Sequence, residues 1–272
     1  MDNIITPFTL YDNNIKGRLI RLDDQLDLIL KQHDYPDEIS RSLGELLMVV
    51  ALLGSQFKDD VTLSIQLQTE GRLKYIIVDY QIPGNIRGYA KYDNEGEYSS
   101  DAIITVTIDH QGKRYQSVVE VNNMNITEAI KKYFSQSEQI NTSLKLSIWN
   151  IDNNWYGGGV LLQELPNIED DNLWAEANIL LSTLKDSELL NPSLSIEKLL
   201  YSLYHETGIR TFDNININHK CRCSRERAKT IVKSIDIKEA KDLVVEGKLS
   251  VNCQFCNISQ DFTLNDIEKL YK

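Results

Sequence analysis

Val61, Leu63, Ile65 and Leu67 alternate with Thr62, Ser64, Gln66 and Gln68, the period of two expected of a strand with one buried face. Ile104, Val106 and Ile108 repeat the alternation, as do Leu144, Leu146 and Ile148. Several such strands require a sheet with an apolar face that helices must cover. After Pro36, the residues Ile39, Leu43, Leu46, Leu47, Val50 and Leu53 follow the three-and-four spacing of one wide helical stripe. Asn125 followed by Glu128 has the form of a capping box, ahead of a second helical face at Ile126, Ala129, Ile130, Tyr133 and Phe134. Pro83-Gly84-Asn85 separates two apolar runs as a hairpin turn would. Gly157-Gly158-Gly159 lacks the Gly-Lys-Ser/Thr of a phosphate loop and predicts a tight turn into the next segment, with no nucleotide bound.

The texture changes near Thr183. Asn191-Pro192 interrupts the chain, and Ser195 caps an amphipathic helix carrying Leu199, Leu200, Leu203 and Tyr204. Gly208 ends that helix, and Asp213 to Asn218 reads as polar and irregular. A further set of signals follows residue 220. Ser224 caps a short helix, Asp236 with Glu239 forms a capping box for another, and Gly247 reads as its C-cap. Leu249 to Asn252 reads as a strand, and Thr263 caps a last helix ending at Tyr271. The expected organisation is therefore an α+β fold in three parts: a core domain over residues 1–182 with a mixed or antiparallel sheet covered by helices, a helical linker over 183–219, and a small C-terminal domain over 220–272.

Composition narrows the functional classes. The chain has 272 residues and a net charge of −11, which disfavours nucleic acid and anionic membrane surfaces as partners. No apolar run approaches the roughly 20 residues of a membrane span, and no secretory signal is visible, so a cytoplasmic location is expected. The charge is unevenly divided: residues 220–272 carry 11 Lys/Arg against 8 Asp/Glu, leaving 18 against 32 for the remainder. His33, His110 and His205 are scattered, and no nucleophile-and-base pair emerges, so the chain does not read as an enzyme.

All four cysteines lie in the basic tail, Cys221 and Cys223 as C-x-C and Cys253 and Cys256 as C-x-x-C. In a reducing compartment two close pairs around a small folded unit read as a tetrahedral site for one Zn²⁺ held by four thiolates. A unit of this size is marginal on a hydrophobic core alone. Structural zinc is worth about 10 to 16 kcal/mol to small metal-dependent folds, against about 5 to 15 kcal/mol for the net stability of a whole domain. Metal loss is therefore expected to unfold the tail. Thiolates are also the nucleophilic form of cysteine, and an oxidant that joins them as disulfides abolishes them as ligands. The residues alone thus leave three readings: a metal-dependent redox switch, a zinc-ribbon nucleic-acid adaptor, and a thiol-disulfide oxidoreductase.

The order of several segments resembles the family of redox-regulated 33 kDa chaperonins, or heat shock protein 33. They are Leu43-Gly44-Glu45-Leu46-Leu47, Leu63 to Gln68 followed by Gly71, Arg87-Gly88-Tyr89-Ala90, and Tyr133-Phe134 with Ser137-Glu138-Gln139. Further along stand Gly157-Gly158 with Leu161-Leu162-Gln163 and Leu165-Pro166, then Cys221-Arg222-Cys223-Ser224, and Val251-Asn252-Cys253 with Phe255-Cys256. The resemblance implies an ATP-independent holdase, inactive when reduced and zinc-bound. Oxidation would pair Cys221 with Cys223 and Cys253 with Cys256, expel the metal, unfold the tail and then the linker, and so expose surface that binds unfolding proteins. The active form in the family is typically a homodimer. Leu199, Leu200, Leu203 and Tyr204 are then the candidate client-binding face of the linker. Three positions depart from the family pattern: His219 stands where an aromatic is common and is a nearby alternative ligand, Gln68-Thr69-Glu70-Gly71 is poorer in glycine, and Tyr115-Gln116-Ser117 has serine where glycine is common.

Overall fold

The computed structural model describes residues 2–123, 125–166 and 171–271, and these divide into two compact units, 1–219 and 220–272. In the first unit, β1 (Ile4–Leu10) and β2 (Ile15–Leu22) form a hairpin. They are followed by α1 (Asp24–Leu30), α2 (Asp37–Gly54), and the strands β3 (Val61–Thr69), β4 (Leu73–Gln81), β5 (Asn85–Tyr92), β6 (Ala102–His110) and β7 (Lys113–Val121). Then come α3 (Ile126–Tyr133), β8 (Thr142–Ile151), β9 (Asn154–Glu164), α4 (Asp171–Thr183), α5 (Asp186–Leu189) and α6 (Ile196–Tyr204). The short strands β10 (Arg210–Thr211), β11 (Ile215–Asn216) and β12 (Asn218–His219) complete the unit.

The strands build two sheets. One has the order β10-β1-β2-β9-β8 with β11 also on β1, and the other runs β12-β5-β4-β3-β6-β7. Among the described residues all pairings are antiparallel except β12 on β5, so the first sheet is antiparallel and the second mixed. The alternations forecast at Val61, Ile104 and Leu144 fall in β3, β6 and β8.

Helix α2 packs against β3, β4 and β5 of one sheet and against β2, β8 and β9 of the other. The expectation of a single stripe is therefore corrected: every residue from Leu46 to Gly54 is buried, including Met48, Val49, Ala51 and Leu52. A helix that is apolar all round belongs between two layers. The outer face of the first sheet carries a separate core in which Phe8, Leu10, Ile15, Leu19, Val160 and Leu162 meet Ala177, Leu181, Leu189, Leu199, Leu200 and Tyr204.

Other local expectations are also revised. Gly157-Gly158-Gly159 lies inside β9 and forms no turn. A Cβ on Gly157 would stand 2.8 Å from Leu26 Cδ2 and 2.9 Å from Met48 Sδ, so the residue is small because helices lie directly on the strand. Asn125 does cap α3 by accepting from the Glu128 N–H, but the Glu128 carboxylate accepts from Lys131 instead of closing the box. The stretch Asp213 to Asn218 is not irregular. It adds β11 and β12 to the two sheets, with Ile217 buried between them in sequence. Two-residue strands lie below the length at which periodicity is readable.

The packing of α2 sets an expected outcome. Leu47→Ala should lower unfolding stability by about 2 to 5 kcal/mol in chemical denaturation, whereas Leu28→Ala, at a position 48% exposed, should change it by less than about 0.5 kcal/mol. Similar losses at both positions would contradict a core centred on α2.

Candidate metal centre

The second unit contains α7 (Arg225–Lys233), α8 (Ile237–Asp242), β13 (Lys248–Asn252), β14 (Ser259–Thr263) and α9 (Leu264–Leu270). Ser224 caps α7 by accepting from the Arg227 N–H at 3.2 Å, and Thr263 with Asp266 forms a full capping box for α9. At α8 only the Asp236 arm of the forecast box forms, accepting from the Lys238 N–H. Gly247 is not a helix cap. Glu246 and Gly247 both have positive φ, at 50° and 81°, in a two-residue turn that lets Val245 and Lys248 exchange hydrogen bonds. That is the turn a tight hairpin requires. The buried apolar core of the unit is small, consisting of Ala228, Val232, Ala240, Leu249, Phe262 and Ile267.

The cysteines stand where these elements begin and end. Cys221 and Cys223 precede the cap of α7, and the Cys223 N–H lies 3.4 Å from Cys221 Sγ. Cys253 to Cys256 forms the knuckle between β13 and β14. It is closed by the Cys253 N–H donating to the Ile258 carbonyl at 3.0 Å and the Asn257 N–H donating to the Cys253 carbonyl at 2.8 Å. Asn257 has φ 55°, a left-handed conformation that asparagine tolerates. This residue and strand β14 escaped the sequence reading; the Asn following the second cysteine pair was the available signal.

All four sulfurs lie within 4.8 Å of one another. Cys221 Sγ is 3.5 Å from Cys253 Sγ, and Cys223 Sγ is 3.4 Å from Cys256 Sγ. A tetrahedron with metal–sulfur bonds of about 2.3 Å has edges of about 3.8 Å, so the donor set fits one tetrahedral ion. Four sulfurs without an oxygen donor suit a borderline-soft metal. Burial opposes ionisation of Cys221, but the Cys223 amide and the neighbouring thiols outweigh it and bring this thiol down to about 7. Burial pushes Cys223 and Cys256 upward.

His219, the alternative ligand, is not one of these clustered donors. In the first unit its ring Nε2 lies 3.4 Å from Gln32 Nε2, and its backbone N–H donates to Gln25 Oε1 at 2.7 Å. Leu199, Leu200 and Tyr204 are buried against the first sheet, with Leu203 half-buried beside them. Of the scattered histidines, His33 packs on Tyr35 and Tyr89, and His205 on Tyr201. Among the described residues no helix is long and apolar enough to cross a membrane.

Comparison with known proteins gives a consistent result. A family model described as Hsp33 protein matches residues 3–263. The 33 kDa chaperonin of Caulobacter vibrioides is 30% identical, over 94% of this chain and 93% of the relative. That of Shewanella loihica is 34% identical over 97% and 94%. The crystal structure of the 33 kDa chaperonin (heat shock protein 33 homolog) from Thermotoga maritima superposes with a TM-score of 0.87 at 20% identity, over 99% of this chain and 98% of that one.

Protons and a metal ion compete for the same sulfurs. All four sulfurs must be deprotonated to hold an ion, so metal retention should weaken on acidification and strengthen as pH rises. A chromophoric chelator should draw the ion from the protein faster at pH 5.5 than at pH 8, and Cys223→Ser should abolish retention. Retention independent of pH, or surviving the substitution, would contradict a four-sulfur centre.

Proposed function

We propose, from the premise that this chain belongs to the Hsp33 family, that it is a redox-regulated, ATP-independent holdase chaperone rather than an enzyme. The observation that carries the reading is the convergence of four thiols within a 53-residue unit whose apolar core has six buried side chains and five partly buried neighbours. In the reduced resting state Cys221, Cys223, Cys253 and Cys256 hold one Zn²⁺. The ion supplies the cross-link between the start of α7 and the β13–β14 knuckle that the small core does not supply by itself.

Oxidation acts on the sulfurs. Cys221 pairs with Cys223 and Cys253 with Cys256. Each new S–S bond removes two electrons from a pair of thiolates and passes them to one peroxide, which takes up two protons and leaves as two waters. Sulfur in a disulfide carries no negative charge, so the donor set is dismantled and the unit loses its metal. The Cys221–Cys223 bond closes a very small ring, and strained disulfides are readily reduced again, which makes the switch reversible.

Loss of order in residues 220–272 then propagates to 183–219. That segment keeps Leu199, Leu200, Leu203 and Tyr204 against the first sheet in the resting structure. Its departure uncovers both the linker face and the sheet face under it, including Phe8, Leu10 and Leu162. Contiguous apolar surface of this kind binds unfolding polypeptides without nucleotide. The active form is a cytoplasmic homodimer, and the clients are proteins caught while unfolding.

The test follows metal release and light scattering of an unfolding client together, during peroxide addition at mildly raised temperature. Suppression of aggregation should be absent in the reduced, zinc-loaded protein, appear in step with metal release, and disappear on reduction. Equal activity in the untreated protein, or none after complete metal loss, would overturn the reading. Polyanion binding by the reduced protein with a steep salt dependence would favour a nucleic-acid adaptor instead.

A further inference from the structure

Strand β2 contains Leu19-Ile20-Arg21-Leu22, an arginine set among aliphatic residues and only 4% exposed. Its side chain shares a face with Leu19, towards α4, α5 and α6. The guanidinium is spent on backbone. Nε donates to the Leu189 carbonyl at 2.6 Å, Nη2 to the Glu188 carbonyl at 3.1 Å, and Nη1 to the Leu194 carbonyl. Glu188 and Leu189 are the last residues of α5, and the Glu188 carbonyl also accepts from the Asn191 N–H at 3.3 Å. Leu194 immediately precedes Ser195, the N-cap of α6. One rigid fork therefore ties down both ends of the turn between the two helices.

The neighbouring strand makes room for the same turn. Arg21 pairs with Gly158 of β9 across the ladder. A Cβ on Gly158 would lie 2.8 Å from Leu189 Cγ and 2.9 Å from Leu190 Cδ2. One strand supplies donors and the adjacent strand supplies clearance, at the same register.

We infer that Arg21 and Gly158 form a latch that holds the α5–α6 turn on the sheet and sets the threshold at which residues 183–219 are released. The latch belongs to the first unit and acts separately from the four sulfurs. The release step rests on the functional reading above, whereas the docking itself does not. Arg21 is a positioning residue. Lysine at this position keeps the charge but presents one compact ammonium in place of a fork, and methionine removes all three donors, leaving the Glu188 carbonyl only its bond from the Asn191 N–H.

The test is hydrogen exchange of the full-length, reduced, zinc-loaded protein and of Arg21→Met, Arg21→Lys and Gly158→Ala. Exchange in residues 186–204 should rise by at least about 10-fold in Arg21→Met and by less in Arg21→Lys. It should also rise in Gly158→Ala, which keeps the arginine and blocks the seat. Strands β3 to β7 and residues 220–272 should exchange as in the wild type, and peroxide-treated Arg21→Met should suppress client aggregation at a lower temperature than wild type. Unchanged exchange in 186–204 in both Arg21→Met and Gly158→Ala overturns the latch, as does an equal rise in β3 to β7. If Arg21→Met does not fold, Gly158→Ala decides by the same criterion. Failure of oxidised wild type to protect a client overturns the functional reading alone, and the exchange data still decide the latch.

Discussion

The constraint on which the account depends is the shortage of apolar burial in residues 220–272. Among the described residues, a cluster of six buried hydrophobic side chains, two of them alanines, with five partly buried ones packed against it, must order 53 residues. Backbone ordering costs about 1 to 2 kcal/mol per residue, and alanine burial returns little of it. Apart from the Tyr271 hydroxyl, which reaches the Val232 and Ile235 carbonyls, polar fastenings such as Lys248, Ser250 and Ser259 on Asp261, which hold its carboxyl down to about 2, are solvated. Exposed pairs of this kind contribute little to stability. The unit is therefore expected to need a cross-link, and its four sulfurs stand where one ion would join the start of α7 to the β13–β14 knuckle.

The first unit is built on the opposite principle. Helix α2 is buried between two six-stranded sheets, and its core continues through Ile20, Leu22, Ile65 and Val78. The outer layer of α4 to α6 is different in kind. It covers one sheet face with a smaller core, and its α5–α6 turn is held by Arg21 through directional hydrogen bonds to carbonyls. The outer layer and the small C-terminal unit each bury less apolar surface than the layered core, so under the proposed mechanism they open while that core persists.

Much of this was legible in the amino-acid sequence, and the failures have physical causes. The cysteine spacing and the alternation at Val61 to Leu67 were readable because each is a local pattern with one structural meaning. The stripe on α2 was underread because period counting registers one face, and this helix is buried on both. The run Gly157 to Gly159 is ambiguous in sequence because glycines mark either conformational freedom or close approach, and only the helices above β9 decide which. The strands β10 to β12 and the β13–β14 pairing depend on distant partners, so the polar run Ser259-Gln260-Asp261 carried no strand signal of its own. Arg21 was invisible for a related reason, since its partners are backbone carbonyls more than 160 residues away.

The most direct measurement is amide hydrogen exchange across the whole reduced chain, with zinc bound and after removal of zinc by a strong chelator. The account predicts that amides of α7, β13 and β14 fall to the exchange rates of an unfolded chain once the metal is gone, while those of α2 and β3 to β6 stay protected. Near-identical protection of residues 220–272 in the two samples would show that the sulfurs are not what keeps that unit folded, and would contradict the switch.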